Sequence, residues 1–151
     1  MRFNQLKLLL EHFVSCREAM QAMYRRLELN ADSERVRMLL AYLQHQEKEN
    51  AEHLEDFISQ AKQDVLDTWT DIRLEQDLPA RIAKISQPAN MSSDDVTTLA
   101  LDLGEQSLAL LRLAKDELSM LGARQFIGNL IEHQEKRQKQ MVHATHRLDD
   151  I

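Results

Sequence analysis

Four stretches of this chain repeat apolar side chains at three- and four-residue spacing, and almost nothing between them could turn a strand. The stretches cover 4–28, 34–63, 92–118 and 123–147. Such spacing lines one face of a helix with apolar groups. The first stripe runs through Leu6, Leu10, Phe13, Val14, Met20, Tyr24 and Leu27, and the second through Val36, Leu39, Leu40, Leu43, Leu54, Phe57, Ile58 and Ala61. The third uses Val96, Leu99, Leu103, Leu108, Leu111 and Ala114, and the fourth Phe126, Ile127, Leu130, Ile131, Met141 and Val142. Only 3 glycines and 2 prolines occur in 151 residues. A β-rich fold of this size needs more turn-forming residues than that. The expected class is all-α, as a single domain over 1–151.

Helix ends are marked in the sequence. Asn30, Asp32 and Ser33 supply turn and N-cap chemistry ahead of the second helix. Ser92 and Asp95 stand three apart as a capping box, and Met91 and Val96 are placed as a hydrophobic staple. The joints between helices one and two, and between three and four, are short, which makes antiparallel hairpins. Between the second and third helices lies a long connection, 64–91, that holds Trp69, Pro79 and Pro88 and predicts a short helix over 78–85. A helix of about 28 residues is about 42 Å long, so a connection of that size can cross a whole bundle. Two helical hairpins joined by one long crossover is the expected architecture.

Composition narrows the function. The 25 acidic and 19 basic residues give a net charge of −6, which argues against a nucleic-acid backbone or an anionic membrane as the main partner. Cys16 is the only cysteine, so no intrachain disulfide can form, and a reducing cytoplasmic setting is expected. Lys7, Glu11 and His12 interrupt the apolar run near the start, unlike a secretory leader. No Gly-rich phosphate loop or His-Glu-x-x-His motif is present.

The second and fourth helices share a tetrapeptide, His45-Gln46-Glu47-Lys48 and His133-Gln134-Glu135-Lys136. In that register Leu39 aligns with Ile127, Leu43 with Ile131, Asn50 with Gln138 and Leu54 with Val142, so the two hairpins read as structural repeats. The aligned stripes place Glu47 and Asn50, and likewise Glu135 and Gln138, on faces that otherwise build the core. Glu18 and Glu105 fall beside the stripes of helices one and three at similar heights. Four interior glutamates cannot all remain ionised and unpaired. Bound metal, shared protons, or basic side chains such as Arg17 and Arg112 would each relieve the cost.

This constellation resembles the di-iron site of ferritin-like and rubrerythrin-like proteins over most of the chain. The resemblance implies a ferritin-like four-helix bundle and a metal site built from Glu18, Glu47, Asn50, Glu105, Glu135 and Gln138. It also implies a homodimer by analogy. The family's Glu-x-x-His motif reads here Glu47-x-x-Asn50 and Glu135-x-x-Gln138, with both histidines replaced. An amide oxygen is a poorer ligand for iron than imidazole. The preferred expectation is therefore a non-catalytic bundle with no cofactor, whose glutamate layer is the relic of a di-metal site and which acts on an unidentified protein partner. The alternative is a metal-dependent oxidoreductase or metal-binding protein holding two iron or manganese ions. His45 and His133 precede the glutamates by two residues and are expected on the surface.

Overall fold

The structure, a computed structural model, describes residues 1–149. Four long helices form its body: α1 (Leu6–Asn30), α2 (Glu34–Ser59), α5 (Ser93–Glu117) and α6 (Leu121–Asp149). Two short helices, α3 (Gln63–Leu66) and α4 (Leu78–Ile82), and a strand, β2 (Trp69–Arg73), occupy the crossover, and a second strand, β1 (Arg2–Gln5), precedes α1. No helix among the described residues is long and apolar enough to cross a membrane.

The helix starts follow local chemistry. Ser33 accepts from the Val36 amide at the start of α2, and the Ser92–Asp95 capping box closes both ways at the start of α5. Met91 and Val96 are both buried across that cap. The second helix is shorter than its apolar pattern predicts and ends at Ser59, where Ser59 Oγ turns back to donate to the Asp56 carbonyl. The short helix predicted over 78–85 spans only Leu78–Ile82, with Asp77 capping it by accepting from the Ala80 amide.

The interior is built in two apolar halves. One packs the far end of α1 (Met20, Met23, Tyr24, Leu27) against the start of α2 (Val36, Leu39, Leu40, Leu43) and the start of α5 (Val96, Ala100, Leu103). The other packs the start of α1 (Leu6, Leu10, Phe13) against Leu54 of α2, Leu108 and Leu111 of α5, and Ala123, Ile127 and Leu130 of α6. These pairings make α1–α2 and α5–α6 antiparallel hairpins. They also require the crossover to travel the length of the bundle from the end of α2 to the start of α5. The level between the halves is where polar side chains enter.

A two-stranded antiparallel sheet, absent from the sequence expectation, ties the N-terminus to the crossover. Arg2 pairs with Arg73, Phe3 with Ile72 and Gln5 with Trp69. Phe3 and Ile72 pack with Leu9 and Ala114 beneath, and Thr70 Oγ1 donates to the Phe3 carbonyl at 2.7 Å.

Candidate functional site

Midway along the bundle, between the two apolar halves, all four long helices contribute polar groups. On α1 the core stripe passes through Phe13, Cys16 and Met20. Glu18 stands two residues past Cys16, about 200° around the helix, and points to solvent. The neighbouring residue, Arg17, turns inward with a side chain 15% exposed. On α2 the stripe places Glu47 and Asn50 inside, 5% and 2% exposed.

Arg17 grips Glu47 with both arms of its guanidinium. Nε donates to Oε2 at 3.0 Å and Nη2 to Oε1 at 2.6 Å, while Nη1 donates to Ser107 Oγ of α5 at 3.2 Å. Ser107 in turn donates to the Gly104 carbonyl at 2.8 Å. Such two-point pairing matches a planar guanidinium to a planar carboxylate. Burial pushes the Glu47 carboxyl above the usual carboxylate range, and the Arg17 charge and hydrogen bonds pull it back. Tyr24, one apolar layer away, is fully buried; burial first and then the Glu47 charge raise its phenol.

Asn50 meets α6 through an amide pair. Its Nδ2 donates to Gln134 Oε1 at 3.0 Å, and Gln134 Nε2 donates back to Asn50 Oδ1 at 2.9 Å. Gln134 is buried, whereas Glu135 is half-exposed, with a side chain 40% accessible. The repeat register therefore does not carry over into orientation. The buried line of α6 runs through Ala123, Ile127, Leu130 and Gln134. Leu130 draws the face one position back, so the residue aligned with Gln46 faces the core in place of the residue aligned with Glu47.

Glu105 and Glu135 gather at the α5–α6 seam, outside this layer, and Gln138 reaches from the edge of the layer to Glu105. The core line of α5 passes through Gly104, Ser107, Leu108 and Leu111, which leaves Glu105 on the solvent side of the seam. Arg112 Nη1 binds Glu105 Oε1, Arg112 Nη2 lies 3.5 Å from Glu135 Oε1, and Gln138 Nε2 donates to Glu105 Oε2 at 3.4 Å. Gly104 gives Gln138 its room, because a Cβ there would stand 2.5 Å from Gln138 Oε1.

The expectation of four glutamates converging on one interior thus needs correction. Of the six residues, Glu47 and Asn50 share the interior, Glu105 and Glu135 share a surface seam around Arg112, Gln138 lies between the two with its amide against Gly104 and Glu105, and Glu18 stands on the outer face of α1. Arg17, Ser107 and Gln134 complete the interior layer; Arg17 was expected only as a basic side chain able to relieve the glutamates, and Ser107 and Gln134 were not expected there. For Arg17 the signal was present in its place one residue from Glu18. Among the described residues, no three His, Cys, Asp or Glu side chains are grouped to share a metal ion.

A small cavity of about 30 Å³ opens beside Glu47, walled by Arg17, Asn50, Gly104, Arg137, Gln138 and Met141 among others. It holds space for one or two water molecules. Cys16 is buried, and burial pushes its thiol up to about 12, so it is no ready nucleophile.

No family model matches the chain. No curated protein matches it. Among solved structures it is similar to a Thermotoga maritima protein described, by inference, as a ferritin-like diiron-carboxylate protein, with a TM-score of 0.58, 16% sequence identity and 97% coverage of each chain. At that identity the likeness shows the fold: the chain is a ferritin-like all-α bundle.

Proposed function

We propose that this chain is a non-catalytic ferritin-like bundle whose interior charge is balanced by its own arginine, and that it works by binding a protein partner, another copy of itself included. The observation that carries the reading is the two-armed pairing of Arg17 with Glu47. A di-iron centre of this fold needs several carboxylates and imidazoles open toward a shared pair of cations. Here, among the described residues, the interior offers one carboxylate, with both oxygens already engaged by a guanidinium, and an amide pair whose oxygens are also engaged. The residues present do not fit the two metal ions, and the guanidinium supplies the positive charge that metal would bring. Arginine cannot give up its proton or change oxidation state, so the pair stabilises without reacting.

Elemental analysis of protein purified without chelator tests the reading. The expected result is far less than one metal ion per chain and a thermal midpoint unchanged by EDTA. About two iron or manganese ions per chain, lost in Glu47→Ala, would overturn it and support the oxidoreductase alternative.

A further inference from the structure

Arg137 of α6 belongs to two places at once. On the outer side its guanidinium bridges to α2: Nη1 lies 3.0 Å from His53 Nδ1, and Nη2 donates to the Gln46 carbonyl at 3.3 Å. On the inner side the same residue is part of the wall of the cavity beside Glu47. Its side chain is only 16% exposed. Arginine has donors and no acceptor, so His53 Nδ1 must supply a lone pair, which puts the ring proton on Nε2. A proton added at Nδ1 removes that lone pair and sets a second cation against the guanidinium.

We propose that His53 and Arg137 form a proton-operated latch across the α2–α6 seam: neutral His53 holds Arg137 closed over the interior cavity, and protonated His53 releases it.

The surrounding charges act on Arg137 in both directions. From α6, His133 lies with its ring 6.0 Å from that of His53, and Lys136 is close by. Burial, then Arg137, His53 and Lys136, hold His133 below the usual imidazole range, so the seam is already crowded with positive charge. From α2, Glu49 Oε2 is 3.9 Å from Arg137 Nη2 and its other oxygen is 3.1 Å from His45 Nε2. Glu49 thus already pairs with the guanidinium from the solvent side, independently of His53. Across the cavity stand Glu47 of α2 and Arg17 of α1, already joined to each other, while α5 presents the uncharged Ala100 and Gly104. His53 is exposed, so the proton has free access.

The test uses the full chain and His53→Asn, whose amide oxygen reaches about as far as Nδ1, accepts from arginine at any pH and does not titrate. Thermal midpoints and amide hydrogen exchange are measured at pH 7.5 and 5.5, the exchange corrected for its intrinsic pH dependence. His133 interacts with His53, so the same measurements repeated on a His133→Asn background show that the difference comes from His53. The wild-type midpoint should fall by at least about 3 °C more than that of His53→Asn. Amides over 134–141 should lose protection several-fold at pH 5.5 in the wild type only. Arg137→Gln, with no charge to repel, should show the weaker protection at both pH values. Equal midpoint shifts and equal protection in wild type and His53→Asn would overturn the latch, as would wild-type protection in Arg137→Gln.

Discussion

His12 of α1 sits beneath the small sheet, 8% exposed, with its ring 5.0 Å from that of Phe3 and with Nε2 lacking a hydrogen-bond partner among the described residues. Burial lowers its pKa, partly offset by Asp77. A lowered imidazole favours folding at pH values above its unfolded value of about 6.5, and that contribution is lost as pH falls through the depressed folded value. Replacing it with an apolar group removes both the unpaired nitrogen and the titration. His12→Leu should raise stability by about 1 kcal/mol at pH 5.5 and by less at pH 7.5, measured by urea unfolding. A larger gain at pH 7.5 would contradict this account. The same scale shows where sequence reasoning runs out. Arg17 and Glu18 differ by one step, about 100° around the helix. A stripe that includes both Val14 and Phe13 leaves that rotation undecided, and the structure resolves it in favour of the cation. Burial of a charged residue depends on its partner across the bundle, and Glu47 is 30 positions away in sequence.

Between elements, the interior of the α2–α6 contact is set by an amide pair, while Arg137, His53 and Glu49 line its outer edge. Asn50 and Gln134 pair with each other, which offsets the cost of taking both amides out of water. Asn50→Leu would strand the Gln134 amide and should cost about 1–3 kcal/mol, while Asn50→Leu with Gln134→Leu should recover much of the loss. Chemical denaturation of the three proteins checks this; a double variant as unstable as the sum of the singles would count against the pair. The four long helices, their hairpin pairing and the α5 capping box were legible because periodicity and caps are local signals. The small sheet was not. Its strands are only four and five residues long and lie more than sixty positions apart, with no hairpin turn to announce them. The tetrapeptide repeat was legible as a repeat and misleading as an orientation, since Leu130 of α6 turns Gln134 inward ahead of Glu135.

Across the whole molecule, two apolar halves are held in register by one polar layer, and the charge of that layer closes within the chain. A ferritin-like bundle was readable from four helices and a long crossover. The residues that the resemblance implied do not meet at one place, because the resemblance assumes that all four helices turn their glutamates the same way. The most direct measurement of self-neutralisation is a double-mutant cycle on Arg17→Met and Glu47→Gln, by urea unfolding at pH 7.5 with and without EDTA. Each single change strands a buried partner and should cost about 3–5 kcal/mol. The double variant should cost less than the sum by at least about 2 kcal/mol, with the same value in EDTA. A coupling below about 0.5 kcal/mol, or one that disappears when metal is chelated, would contradict the account.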